Sequence, residues 1–219
     1  MIVFKRITFE EYILASVFAA VAFITLVFAS YINDVYHKEK LSQGYYGSDT
    51  IYLQVFDLES KLDYEALYAG FKDAILFQEL SGEYVRGVLF HGDIDSPPLL
   101  EGRFFMEDDF FNGKKLAVAG NTYDPAIKHL DGRDYLVINQ ENYEVIGRLG
   151  TGEISQLDKM LLINLDAVAP ETGGLYAIDG ISPKRIAAAS TFLQCEVDKC
   201  GGSSKLIERE TTGIKRLLK

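Results

Sequence analysis

The residues best suited to chemistry in this chain of 219 residues are few and scattered. Cys195 and Cys200 stand in the stretch Cys-Glu-Val-Asp-Lys-Cys-Gly-Gly. That spacing fits neither a CxxC redox pair nor a zinc site, and no histidine lies nearby. In an oxidising compartment the two thiols could close a small loop after a helix, so Cys195–Cys200 is a candidate disulfide of modest stabilising effect. Glu101, Glu107, Asp108 and Asp109 form the densest carboxylate group. It lacks the alternating ligands and the glycine of a calcium loop and reads as a solvated turn. His37, His91 and His129 make no HExxH or HxxxH pair. No GxSxG elbow occurs, and Asn112-Gly-Lys-Lys115 has neither the first glycine nor the hydroxyl of a phosphate loop. No catalytic residue, metal-ligand set or cofactor site is therefore expected.

The dominant feature of the chain is residues 12–32, YILASVFAAVAFITLVFASYI, an apolar run without a charge. As a helix rising ~1.5 Å per residue it reaches ~31 Å, the thickness of a bilayer's hydrocarbon core. Lys5 and Arg6 precede it and Asn33 and Asp34 follow, so the positive-inside bias predicts a cytoplasmic N-terminus and a large extracytoplasmic region. A cleaved secretory signal is the competing reading, because Val27-Phe-Ala29 resembles a cleavage site; the length and the bulky Phe23, Phe28 and Tyr31 favour a retained anchor. Ala15, Ala19, Ala22 and Ser30 give the span a small-residue face on which another helix could pack.

The net charge of -10 lies entirely beyond the span, since Lys5, Arg6, Glu10 and Glu11 cancel. Acidity argues against nucleic acid as a partner, which needs clustered Lys and Arg, and at most favours a cationic cargo. About 187 residues after the span can bury a sizeable core.

Along that region, residues 33–48 predict a helical, membrane-proximal stalk ending near Gln43-Gly44. Residues 49–58 alternate as a half-buried strand. Residues 62–80 carry apolar positions at helical spacing, with Asp63 as N-cap, and residues 83–91 read as the next strand. After Asp95-Ser-Pro-Pro98 the texture changes to short strands at 115–119, 135–138, 143–149 and 159–164, with turns at Asp131-Gly132 and Gln140-Glu-Asn142. Past Pro170 the first texture returns: a strand at 174–180, a helix opened by Ser182-Pro183, and a strand at 203–208. Two strand-helix-strand units flanking an insert predict an α+β fold: a split βαβ lobe from 49–95 and 172–210, with a β-rich lobe, 96–171, inserted.

This order of motifs resembles the MacB-like, or FtsX-like, family of ABC transporter permeases. The phrase Gly102-Arg-Phe-Phe-Met-Glu-Asp-Asp109 is similar to the family's "GR.F...D"; Lys115-Leu-Ala-Val-Ala-Gly120 to its "VAV.G" strand; Asp131-Gly132-Arg133 to its turn; Tyr143-Glu-Val-Ile-Gly147 to "Y.VIGV". Ser155-Gln-Leu-Asp158 and residues 160–164 occupy the place of its Ser-Asp segment and apolar strand. The resemblance implies a two-lobed extracytoplasmic domain, no enzymatic activity, an ABC ATPase subunit and further permease helices as partners, and leaves a homodimer or heterodimer open. It implies structural roles for Gly102, Arg103, Gly132 and Gly147: tight backbone at the glycines and, at Arg103, a carboxylate partner where the insert begins. Family members continue into three further spans, so residues 1–11 are expected as a cytoplasmic tail and 211–219 as the lead-in to a missing second span. A stand-alone anchored binding or sensing module is the alternative.

Overall fold

The computed structural model describes residues 9–42, 44–47, 49–80, 84–169 and 171–207. The first eight residues of the expected tail, with Lys5 and Arg6, lie outside these, as do Pro170 and the expected lead-in 211–219. The chain divides into two units, Met1–Glu39 and Lys40–Lys219.

Helix α1 (Phe9–Ser42) is continuous over 34 residues. Among the described residues it is the one helix long and apolar enough to cross a membrane, over Phe9–Ile32, with a mean hydropathy of 2.5 and none of that window buried in protein. Glu10 and Glu11 occupy its first turn, where the helix dipole favours negative charge. The hydroxyls of Ser16 and Thr25 donate back to the carbonyls of Tyr12 and Val21, at 2.9 Å each, which satisfies them inside an apolar stretch.

The second unit is built on one mixed sheet. Its strands and helices follow in the order β1 (Ile51–Phe56), α2 (Tyr64–Gly70), β2 (Ala74–Glu79), β3 (Val85–His91), β4 (Leu99–Gly102), β5 (Leu116–Gly120), β6 (Lys128–Leu130), β7 (Arg133–Ile138), β8 (Glu141–Leu149), β9 (Leu161–Asn164), β10 (Gly174–Gly180), α3 (Pro183–Lys199) and β11 (Ser203–Ile207). The lateral order is β11-β1-β10-β2-β3-β9-β5-β8-β7-β6, with β4 added against β8. Because β10 is antiparallel to both β1 and β2, those two run parallel around it, joined by α2; β10 and β11 likewise run parallel around β1, joined by α3. This is the split βαβ arrangement, and the fold is α+β.

Local chemistry explains the two crossover helices. The Asp63 carboxylate accepts from Ala66 N at 3.1 Å, the N-cap bond that opens α2. Ser182 precedes Pro183 at the first turn of α3, where a missing N–H costs nothing. Both helices cover the same side of the sheet: Leu67, Phe71, Ile186, Leu193 and Val197 bury against Leu53, Leu76, Leu89 and Tyr176.

The helix expected over 62–80 is corrected. It stops at Gly70, Phe71 caps it, Asp73 turns the chain at φ 55°, and Ala74–Glu79 is β2. Ala74 to Gln78 are all buried, so β2 lacks the polar-apolar alternation that marks a strand, and its apolar run continues the helical spacing of Leu67 and Phe71. The strand expected at 83–91 is then the return arm of a hairpin: β3 pairs antiparallel with β2 from Ala74–His91 to Glu79–Arg86.

The β-rich strands continue the same sheet, through the parallel pairing of Val85–Val88 with Leu161–Asn164. β5 then pairs antiparallel with β9 and parallel with β8. The turns at Asp131-Gly132 and Asn139-Gln140 have φ of 50° and 76°, and 50° and 68°; two successive positive values are what a two-residue hairpin requires. The second turn begins one residue before the expected one. β4 and β6 were not expected; they are four and three residues long and mostly exposed, too short for a periodic signal.

The candidate disulfide is also corrected: Cys195 and Cys200 are both free. Five residues of helix separate two Cα atoms by about 7.5 Å along the axis alone, beyond the roughly 7 Å that a disulfide can bridge. Cys200 Sγ instead donates to the Lys61 carbonyl at 3.5 Å.

Candidate functional site

The face of the sheet opposite α2 and α3 carries Tyr52, Ile75, Phe77, Glu79, Arg86 and Asp179, fixed there by strand register and alternation. It is covered by a strap, residues 44–47, Gly-Tyr-Tyr-Gly, which follows α1 directly and is buried throughout. Tyr46 stands edge-on to both Tyr52 and Phe77, with ring centres 5.3 and 5.4 Å away. Gly47 N donates to Asp179 Oδ2 at 3.0 Å, and a side chain at Gly47 would press on that carboxylate.

Charge completes the seat. Arg86, 8% exposed in its side chain, donates from Nε to Glu79 Oε1 at 2.8 Å and from Nη1 to the Gly44 carbonyl at 2.5 Å. Its guanidinium lies 4.0 Å from the centre of the Tyr46 ring, and the Tyr46 hydroxyl donates to the same Glu79 oxygen. Burial, partly offset by Arg86 and reinforced by Glu79, pushes the Tyr46 hydroxyl well above its ordinary pKa, so it stays a donor. Lys40, buried in the last turn of α1, pairs with Asp95 at 2.6 Å and lies over the Tyr45 ring at 4.2 Å, while Tyr45 donates to the Ser96 carbonyl at 2.5 Å.

The structure brings three of the four motif residues together. Arg103 makes a two-pronged contact with Asp109, with Nη2 at 2.9 Å from Oδ1, and its own N–H donates to the Ile146 carbonyl at 3.0 Å. Asp109 also accepts from Met106 N at 2.8 Å. Burial raises the Asp109 carboxyl, but the Arg103 hydrogen bond and the Met106 N–H outweigh it and hold the group below the usual carboxylate range. Gly102 and Gly147 face one another where β4 crosses β8. Gly132 sits apart, in the exposed β6–β7 turn with open space around it.

The candidate chemical residues are dispersed. His91 stacks on Tyr68 and lies 4.0 Å from Glu107; His129 pairs with Asp134 at 2.9 Å on the exposed β6–β7 hairpin. Among the described residues no three His, Cys, Asp or Glu side chains are grouped to hold a metal ion. Glu107 instead accepts from Gly92 N at 2.7 Å.

Solved structures similar to this chain include two outer domains. The chain is similar to the extracellular domain of the noncanonic ABC-type transporter YknZ from Gram-positive bacteria, at 14% identity and a TM-score of 0.41, over 72% of this chain and 100% of that one. It is also similar to the periplasmic region of MacB from Actinobacillus actinomycetemcomitans, at 12% identity and a TM-score of 0.39, over 70% of this chain and 87% of that one. No family model and no curated protein matches the sequence.

Sequence reasoning missed the strap and its seat. Two signals were available: tyrosines bracketed by glycines in Gly44-Tyr-Tyr-Gly47, and Arg86, a single charge inside the apolar strand Val85–His91. Neither names its partner, because Glu79 and Asp179 reach the strap only through strand pairing.

Proposed function

We propose that this chain is the first membrane span and the extracytoplasmic core domain of a MacB-like ABC transporter permease. Its N-terminus is cytoplasmic, its second unit extracytoplasmic, and its task is to pass motion rather than to perform a reaction. Energy comes from an ATPase on a partner chain or another domain, and the remaining permease helices complete the membrane part. Residues 49–95 and 172–210 act as one lobe and 96–171 as the other.

The observation that carries this reading is the succession of one apolar helix of membrane length and, in a separate unit, a split βαβ sheet continued by the β-rich strands. The ordered run of motifs from Gly102 to Asp158 supports the family assignment. The test is co-purification of the full chain from membranes with an ABC ATPase and with further permease helices. Association with both is expected; association with neither overturns the proposal in favour of a stand-alone anchored module. Labelling of Cys195 by a membrane-impermeant maleimide on intact cells reads the orientation, and protection of that exposed thiol would reverse it.

A further inference from the structure

We propose that Arg86 is a clasp whose release unseats the strap and, in the same step, loosens the start of β9 at Met160. One guanidinium meets three separate pieces of chain: the Gly44 carbonyl, the Glu79 carboxylate and, at 3.8 Å from Nη1, the sulfur of Met160. Met160 is fully buried, and its carbonyl accepts from Gly120 N at 2.8 Å, so it lies where β9 begins its pairing with β3 on one side and β5 on the other. That seam attaches the β-rich strands to the split βαβ strands. The clasp therefore joins the strap to the seam through a single side chain.

The seated strap is also strained. Gly44 and Tyr45 follow one another at φ of 67° and 68°, and a tyrosine rarely adopts that conformation. It is held there by its ring contact with Lys40 and its hydroxyl bond to Ser96. Unseating relieves the strain while it strands the Gly44 carbonyl and removes one partner of Glu79, so seated and unseated arrangements oppose a backbone cost to a polar one. Such an opposition is what a two-state element needs. The clasp rests on these contacts and does not depend on transport.

Hydrogen exchange of the full chain in lipid nanodiscs tests it, with Arg86→Gln compared to wild type. Amides of residues 44–47 and of residues 160–164 should both exchange on the order of tenfold faster, while those of Tyr176 to Ile178 in β10 stay at wild-type rates. An unchanged strap, a faster strap with residues 160–164 at wild-type rates, or an equal rise in β10 would each overturn the clasp. Should Arg86→Gln fail to fold, Tyr46→Phe removes only the hydroxyl bond to Glu79; a smaller parallel rise in both segments supports the proposal, and a rise in one or neither defeats it.

Discussion

Gly102 and Gly147 meet so closely across β4 and β8 that a methyl group on Gly102 would lie 2.3 Å from the Ile146 carbonyl oxygen, and one on Gly147 would lie 2.4 Å from that of Arg103. Both obstacles are backbone, which cannot rotate away. Gly102 adds a φ of 73°. This crossing sets the entry of the chain into the β-rich strands, and Arg103 fixes it from the side through Asp109.

Alanine at the three motif glycines should therefore separate contact from conformation. Gly102→Ala and Gly147→Ala are expected to lose about 2–4 kcal/mol or more of unfolding free energy, from backbone displacement. Gly132→Ala, with nothing near it and only a φ of 76° to pay, should lose roughly 1 kcal/mol. Urea unfolding of the three variants checks the order; a Gly132 variant as damaged as the other two would contradict it.

The Arg103–Asp109 pair predicts a pH dependence. The folded carboxyl lies below its ordinary 3.8, so its contribution to stability is complete above that value and disappears as pH falls through the lower, folded one. Arg103→Gln removes the main opposing influence and leaves burial, so the variant should be less stable near neutral pH and should lose less stability than wild type as the pH falls. Thermal melts across about pH 2 to 6 should show the two curves converging at acid pH, and a constant gap between them would refute it.

Asn164 is fully buried, accepting from Leu116 N at 2.8 Å and donating to the Lys114 carbonyl and to Asp166 Oδ1, each at 2.9 Å. It ties the start of β5 to the end of β9. Asn164→Ala strands a buried N–H and should cost about 1–3 kcal/mol in unfolding free energy, whereas Asn142→Ala, in the exposed start of β8, should change stability by less than about 0.5 kcal/mol. Comparable losses at both sites would show that the buried network contributes nothing.

Both cysteines should react as thiols without prior reduction. Cys195, exposed, is expected to take a maleimide rapidly, and Cys200, half-buried against the Lys61 carbonyl, more slowly. Intact mass spectrometry should find two adducts, and a reductant should leave Tm unchanged. A single mass lower by about two hydrogens, without adducts, would restore the disulfide.

The sequence by itself determined the apolar helix, because a charge-free run of membrane length needs no partner to be read. It also determined the caps at Asp63 and Ser182-Pro183, the Asp131-Gly132 turn and the half-buried strand β1, all of which depend on neighbours in the chain. What spans many residues had to await the tertiary structure. β2, buried on both faces, loses its period of two, so only its pairing with β3 and β10 distinguishes it from a helix. The Gly102–Gly147 contact joins positions whose separate signals say only that glycine is needed. The strap's seat is the fullest case: Gly44, Glu79, Arg86 and Asp179 become one site because antiparallel register sets alternate side chains of three strands on a common face, a relation that local spacing does not encode.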